Sequence, residues 1–268
     1  MLLVLIKYFF LIYIYAMFSG GGIEFEAKFL DIDENSVKTK LKKLGAKLVH
    51  GKKKYVRAVF HRCTNEIRGF ARVRDEGGKV TMTVKTYANP KFPEETEIET
   101  SNSFEETVKF VRALGIQQKA YQETYREKWS IDDPEIHEIT FDNVPGLPVY
   151  MEIDCTTESK LNEMVEKLGL DKTKMRFGAF DVTYEEYYGI QRGVINDNTP
   201  SITFANIRNE IKPIKNMDLF LRVIGEQSQI KITTGAGSDR RPYSRKTPRS
   251  RRTPRSRKTP RSRNMRKK

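Results

Sequence analysis

The sequence predicts an α+β protein, in which a few helices cover the apolar face of an antiparallel sheet. Three segments share one layout: a short strand with acidic residues at alternate positions, followed by a helix that ends in Leu-Gly. Other predicted strands carry basic residues at alternate positions. Because successive side chains of a strand point to opposite faces, each of these strands has one charged and one apolar face.

The individual elements follow from the spacing of apolar residues and from turn signals. Before each Leu-Gly pair, apolar residues recur at the spacing of a helix, and glycine is favoured just after a helix. Ser103 and Glu106 have the spacing of a capping box at the start of the second helix, and Gly77 and Gly78 mark a hairpin turn. The predicted strands are residues 23–29, 55–62, 70–74, 80–87, 96–100, 120–129, 138–141 and 150–156, and the predicted helices end at Leu44, Leu114 and Leu168.

The formal net charge of +14 lies almost entirely in the C-terminal tail. Between Asp239 and Lys268 there are 15 lysines and arginines against one acidic residue, so the rest of the chain is neutral overall. The motif TPRSR recurs three times from Thr247, with no apolar residues that could form a core. We therefore expect residues 238–268 to be disordered. Two interpretations stay open for them: a nucleic-acid tether whose binding is salt-sensitive, or a solubilising or nuclear-targeting tail.

Residues 2–18 are apolar except for Lys7 and are just long enough to cross a bilayer. Three interpretations stay open for this segment: a membrane anchor, a cleaved signal peptide, or an extension upstream of a true start at Met17. We favour the last, because a chain that starts at Met17 opens with a short glycine-containing lead into the first strand. A membrane is an expected partner only if residues 2–18 are translated and retained.

Cysteine and histidine usage excludes several classes of site. Cys63 and Cys155 are the two cysteines, without a C-x-x-C spacing, and the three histidines are dispersed, so neither a disulfide framework nor a zinc site is encoded. The sequence also lacks the glycine-rich phosphate loop of nucleotide-binding folds. These features favour a reducing compartment. We expect a cytoplasmic protein, with nuclear targeting through the tail or membrane anchoring through residues 2–18 as alternatives.

The charges on each predicted strand are nearly all of one sign. Like charges about 7 Å apart on one strand repel, and ordinary solvated faces mix their signs. Since the helices can cover the apolar face, we expect the charged face to turn inward and line a lumen; the alternative is a sheet with one wet face. The acidic stripes are Glu24 with Glu26, Glu97 with Glu99, and Glu152 with Asp154; the basic ones are Arg72 with Arg74, Lys85, and Arg126 with Lys128.

A lumen lined by charges is costly unless a ligand neutralises it. A triphosphate bound together with a divalent metal would neutralise both the basic and the acidic residues of the lumen. Lysine and arginine bind phosphate oxygens through charge-assisted hydrogen bonds. Clustered carboxylates suit Mg²⁺ or Mn²⁺, which prefer oxygen ligands.

The ordered motifs resemble the CYTH family of triphosphate tunnel metalloenzymes, which includes class IV adenylyl cyclases and thiamine triphosphatases. They begin with E-x-E-x-K at Glu24, continue with R-x-R at Arg72 and FDNVPGLPVYMEID, and extend to Ile190. The resemblance implies a closed eight-stranded antiparallel β-barrel that binds a triphosphate with Mg²⁺ or Mn²⁺. It implies metal ligands at Glu24, Glu26, Asp142, Glu152 and Asp154, a triphosphate clamp at Lys28, Arg57, Arg72, Arg74, Lys85, Arg126 and Lys128, and catalytic roles for Glu24, Glu26, Lys28, Glu97 and Glu99.

The resemblance predicts a metal-dependent enzyme that cleaves a phosphoanhydride bond. Attack by water gives a triphosphatase, whereas attack by a ribose hydroxyl on the α-phosphorus of ATP gives cyclic AMP and pyrophosphate. The expected substrates are ATP, thiamine triphosphate, tripolyphosphate or the 5′ end of an RNA; a binder of polyphosphate or nucleic acid without catalysis is a further alternative. The expected organisation is an apolar segment with a glycine linker (1–22), the CYTH domain (23–190), an extension of unknown role (191–237) and the basic tail (238–268).

Overall fold

The structure, a computed structural model, describes residues 22–62, 68–89 and 91–229. The predictions for residues 2–18, for Cys63 and for the basic tail therefore fall outside the described residues. Within the described ranges, no helix is both long and apolar enough to span a membrane.

Eleven strands in the described ranges form one sheet in the order β1-β6-β5-β4-β3-β7-β8-β9-β2-β10, with β11 paired to β7. All pairs are antiparallel except β7 with β11. The strands are β1 (Gly22–Ile23), β2 (Phe25–Phe29), β3 (Lys47–Phe60), β4 (Gly69–Asp75), β5 (Val80–Thr86), β6 (Glu94–Thr100), β7 (Gln118–Ser130), β8 (Ile136–Asn143), β9 (Tyr150–Cys155), β10 (Met175–Arg176) and β11 (Ser201–Ile202).

Seven α-helices lie within the described ranges, and the first three are the helices that the sequence predicts. Asp33, Ser103 and Thr157 cap their amino ends, and Ser103 with Glu106 forms the predicted capping box. The helices are α1 (Glu34–Lys43), α2 (Phe104–Ala113), α3 (Glu158–Lys167), α4 (Asp181–Tyr188), α5 (Arg192–Asp197), α6 (Ile207–Glu210) and α7 (Met217–Ser228).

The amino-terminal segment 22–29 hydrogen-bonds to two strands that lie far apart in the order of the sheet. Gly22 of β1 pairs with Glu95 of β6, whereas β2 pairs with β9 along its whole length. Between β1 and β2, the N–H of Glu24 donates to the carbonyl of Pro93 at 3.1 Å. One short segment therefore bridges β6 and β9.

The apolar face of the sheet packs against the predicted helices. In one cluster, Ala27, Ile139 and Ile153 of the sheet are fully buried against Leu41 of α1 and Val165 of α3. A second cluster packs β3 and β4 against α2 through residues such as Phe60 and Val111. Helix cover on this face leaves the charged face of the same strands directed to the other side.

A third apolar cluster joins α4 to the extension that follows Ile190. Tyr150 and Leu147 pack with Tyr184 and Tyr188 of α4 and with Phe220 of α7. The described part of the extension, residues 191–229, thus forms α5, β11, α6 and α7 and packs onto the sheet. The sequence left its role open, because its apolar stretches find their partners only through contacts distant in the chain.

Gln227 of α7 fixes this extension to the loop between β8 and β9. Its side-chain oxygen accepts from the N–H of Gly146 at 2.7 Å, and its amide group donates to the side chain of Asn143 and to the carbonyl of Val144. Gly146 has φ 76°, and a Cβ there would lie 2.6 Å from the ring of Phe220. Glycine is therefore required at this close approach.

Candidate active site

The charged face of the strands lines a cavity of about 450 Å³. Strand register brings the charges of neighbouring strands side by side: Glu26 lies opposite Asp154, and Lys28 lies opposite Glu152. Because side chains alternate along each strand, the apolar partners of these residues point into the helix-covered core.

Two lysines occupy the part of the cavity that is formed by β2, β5 and β6. Lys85 contacts Glu24 and Glu95, each at 2.5 Å. Lys28 contacts Glu26 and, at 3.0 Å, Glu152. Both lysines are buried, and the adjacent carboxylates raise their pKa values although burial opposes this.

Arg126 forms ion pairs with three carboxylates of the cavity wall. Its Nε and one terminal nitrogen donate to the two oxygens of Asp142 at 2.7 and 2.5 Å. The other contacts run to Glu138 and Glu152, both at 2.9 Å. Burial acts to raise the pKa of Glu138, but Arg126 and Lys128 outweigh it and lower that pKa to about 2.

Arg72 and Arg74 lie side by side on β4 and share a carboxylate. Arg72 donates to Glu95 at 3.2 Å and to Glu97 at 3.4 Å. Arg74 approaches Glu97 at 3.7 Å and pairs with Glu76 at 2.5 Å. These arginines are thus held in place by carboxylates from β6 and from the hairpin turn.

Arg57 differs from the other cations of the cavity. Its Nε donates to the side-chain oxygen of Gln122 at 2.8 Å, and its guanidinium lies 4.6 Å from the ring centre of Phe180. No carboxylate of the described residues forms an ion pair with it. Burial and the neighbouring Arg72 lower the pKa of Arg57 to about 10.

Carboxylates crowd where β2 meets β9. Burial, followed by the charges of Glu24 and Glu26, raises the pKa of Asp154 from 3.8 to about 9. Burial also raises the pKa of Glu24 to about 7, although Lys85 opposes it. Oδ1 of Asp154 is buried without a hydrogen-bond partner. A carboxylate oxygen that is buried, unpartnered and surrounded by other carboxylates fits a divalent cation.

The described side chains do not, however, form a preassembled metal site. No group of three histidine, cysteine, aspartate or glutamate side chains within the described ranges has a metal-binding arrangement. Lysines now neutralise Glu24 and Glu26, and Arg126 takes both oxygens of Asp142. A metal could therefore bind here only if some of these ion pairs rearrange.

Thirteen of the fourteen residues singled out from the sequence line this cavity, and Glu99 does not. Glu99 shares the face of Glu97, but it lies two residues nearer the end of β6. Its side chain is 65% exposed and lies 3.6 Å from Lys79. Alternation sets the face of a strand residue, whereas the length of the cavity decides whether that residue reaches it.

Two carboxylates of the cavity, Glu95 and Glu138, are not among the residues predicted from the sequence. Glu95 continues the stripe of Glu97 by one step, but the strand predicted from the sequence starts at residue 96, whereas β6 starts at Glu94. Glu138 shares the face of Asp142 in β8. In both cases the alternation that predicted the neighbouring residues also contained the signal.

Comparison with known proteins gives a family and a fold. The family model of the CYTH domain matches residues 22–183. A solved structure described as "putative adenylate cyclase" from Vibrio parahaemolyticus is 12% identical, with a TM-score of 0.52 over 60% of this chain and 97% of that one. The PH1012 protein from Pyrococcus horikoshii is 19% identical, with a TM-score of 0.48 over 59% of this chain and 96% of that one. No curated protein matches this chain. At 12% identity, the Vibrio structure shows a shared fold only.

Proposed function

Because this chain belongs to the CYTH domain family, we propose that it is a metal-dependent triphosphatase that binds the phosphate groups of its substrate in the charged cavity. The proposed reaction is attack by water on the terminal phosphorus, with cleavage of the adjacent phosphoanhydride bond to give orthophosphate and a diphosphate.

The balance of charges in the cavity carries this proposal. Among the described residues, nine lysines and arginines and eight aspartates and glutamates line it. A metal ion alone would be repelled by the basic residues, and a polyanion alone would be repelled by the acidic ones. A triphosphate bound together with a divalent metal provides an anion for the cations and a cation for the carboxylates.

Continuity of the segment 22–29 supports an enclosed site. Its start pairs with β6 and its end pairs with β9. We propose that this segment closes the long strands into an eight-stranded tunnel. Enclosure matters for phosphoryl transfer because exclusion of water strengthens the interaction of fixed cations with the charge on the phosphates.

In this proposal the chain's own cations bind and orient the phosphates. Arg72, Lys85 and Arg126 have fixed positions because carboxylates from neighbouring strands hold them. Phosphate oxygens would replace some of these carboxylates as partners when the substrate binds. Asp142 then acts by positioning Arg126, to which both of its oxygens are committed.

Glu24, Glu26 and Asp154 are the residues that would hold Mg²⁺ or Mn²⁺. Their side chains supply the oxygen donors that these ions prefer, and Asp154 has a buried oxygen without a partner. When bound, the metal would neutralise phosphate charge and favour attack at phosphorus. Glu152 contacts both Lys28 and Arg126, so it would hold these cations in place.

A substrate panel tests the proposal. Purified protein is incubated with tripolyphosphate, ATP, thiamine triphosphate and 5′-triphosphorylated RNA, in Mg²⁺ or Mn²⁺, and orthophosphate, pyrophosphate and cyclic AMP are measured. We expect orthophosphate release that stops when EDTA removes the metal. Formation of cyclic AMP and pyrophosphate would show that the reaction is cyclisation rather than hydrolysis. The absence of any product with either metal would exclude an enzymatic function.

Two matched variants locate the reaction. Glu26→Gln should abolish turnover, because it removes one of the carboxylates that would hold the metal. The protein should stay folded, because Lys28 keeps Glu152 as an ionic partner and Lys85 keeps Glu24 and Glu95. Glu99→Gln makes the same chemical change on β6 but outside the cavity, and it should leave turnover unchanged. Equal activity of the two variants would show that the reaction takes place elsewhere.

A further inference from the structure

The two ends of the cavity differ in how they are covered. At one end, β7 begins with Gln118 and β9 begins with Tyr150. Gln122 and Tyr150 are 5% and 2% exposed there, so we call this the capped end. At the other end, Lys128 and Glu138 form an ion pair and keep 31% and 25% of their side chains exposed, so we call this the open end. Gln122 and Lys128 lie about 20 Å apart along β7.

Segments that follow the last long strand cover the capped end. Gly178 to Phe180, which precede α4, line the cavity there, together with Asn196 of α5. Lys119 at the start of β7 lies 3.5 Å from Asp197 of α5, and β11 pairs with β7 beside Gln122. Asn196, Asp197 and β11 belong to the extension, beyond the residues that the family model matches.

Arg57 lies at the capped end and, among the cavity-lining cations in the described ranges, it is the one without an acidic partner. Each of the other lysines and arginines that line the cavity in the described ranges forms an ion pair with a carboxylate. Arg57 instead uses its Nε for Gln122 and stacks against Phe180. Its terminal nitrogens and the amide group of Gln122 have no acceptor among the described residues.

Arg57 is partly buried and lines the cavity. A cation held there without a counter-ion is unfavourable, and an anion from the ligand would offset that cost. The donors that face this space are the planar fork of Arg57 and the amide of Gln122. Such a set matches the oxygens of a phosphate group. Since the protein covers this end, the group bound there has little room for a further substituent.

We propose that Arg57 and Gln122 form a pocket for one unesterified terminal phosphate. The substrates are then triphosphates with a bare end, and they bind with any organic group toward the open end. This inference rests on the proposed function and deepens it, because it names which triphosphates the site accepts. A triphosphate that is esterified at both ends would place a nucleoside where the extension lies.

Binding of two adenosine compounds tests this pocket. ATP has one bare phosphate end, whereas P1,P3-di(adenosine-5′) triphosphate has none. Calorimetry in Mg²⁺ uses the β,γ-imido analogue in place of ATP, here and below, so that hydrolysis of the terminal phosphate does not mask binding. The unchanged full-length chain should bind it at least about tenfold more tightly than the diadenosine compound. This difference corresponds to about 1.4 kcal/mol.

Arg57→Met should weaken ATP binding about 10- to 100-fold, the effect of a lost charge-assisted hydrogen bond. It should leave the weak binding of the diadenosine compound unchanged, and Arg57→Lys should restore part of the affinity for ATP. Arg208→Met, which removes an equal charge from an exposed position on α6, is the matched control and should bind ATP normally.

Three results separate the possible failures. Equal affinity of the unchanged protein for the two compounds would overturn the bare-end pocket, and so would normal ATP binding by Arg57→Met. Either result leaves the triphosphatase proposal standing if turnover of tripolyphosphate persists. Failure of the unchanged protein to bind ATP or tripolyphosphate at all would instead overturn the proposed function.

Discussion

Replacing Asp154 with asparagine should stabilise the metal-free protein. In the folded state the pKa of Asp154 is raised from 3.8 to about 9, because it is buried beside Glu24 and Glu26. At a pH between these two pKa values, Asp154 is protonated in the folded protein and ionised in the unfolded chain. Rising pH therefore favours unfolding through this group, by about 1.4 kcal/mol per pH unit.

The expected magnitude follows from the distance between the working pH and the ordinary pKa. At pH 7 that distance is about three units, which corresponds to about 4 kcal/mol of lost stability. Asparagine is neutral in both states and removes this loss. We expect a gain of about 0.5 kcal/mol at pH 4, about 1.5 kcal/mol at pH 5, and at most about 4 kcal/mol at pH 7.

Urea unfolding in EDTA at pH 5, 7 and 8 measures this gain. Asp132→Asn is the matched control, since Asp132 is exposed just before β8, and its free energy of unfolding should change by less than about 0.5 kcal/mol. A gain for Asp154→Asn that does not grow with pH would refute the crowding of carboxylates. A variant less stable than the unchanged protein at pH 8 would do the same.

Two further changes test other parts of the structure. Gln227→Ala should cost about 2–4 kcal/mol, because the N–H of Gly146 loses its buried acceptor, whereas the exposed Gln229→Ala should cost almost nothing in the same denaturation assay. Arg126→Met should cost about 3–5 kcal/mol at pH 7, because Asp142 becomes an uncompensated buried charge. Arg126 also helps to lower the pKa of Glu138 from 4.5 to about 2, against the effect of burial. The stability that this provides is present above pH 4.5 and declines as the pH falls, so part of the loss should disappear at pH 4. An equal loss at both pH values would contradict the ion-pair interpretation.

The face that each charge occupies could be predicted from the sequence, because alternation along a strand is a local property. Glu26 and Lys28 lie on the cavity side of β2 for this reason, and so do Arg126 and Lys128 on β7. The extent of strands was predicted less well. Strand β3 begins at Lys47 rather than at residue 55, because residues 47–54 lack the alternation of apolar and polar residues that predicts a strand and are held by pairing with β7.

Contacts distant in the chain could not be predicted in the same way. Gln227 and Gly146 are separated by 81 residues, and nothing local in either segment indicates the other. The contact between Arg57 and Phe180 is of the same kind. Contacts distant in the chain, such as that of Lys119 with Asp197, also place the extension over the capped end, so its contribution to the cavity is visible only once the chain is folded.

The ligand preference of the cavity follows from the pairing of charges, and pairing depends on register between strands. The family resemblance implies a metal-binding role for Asp142 and groups Arg57 with the other cations of the triphosphate clamp. The register of β7 with β8 puts Asp142 opposite Arg126, which takes both of its oxygens. Arg57 lies opposite Gln122 and Arg74, so neither neighbouring strand offers it an acid. An ion pair within the protein already has its counter-charge, whereas Arg57 requires one from a ligand.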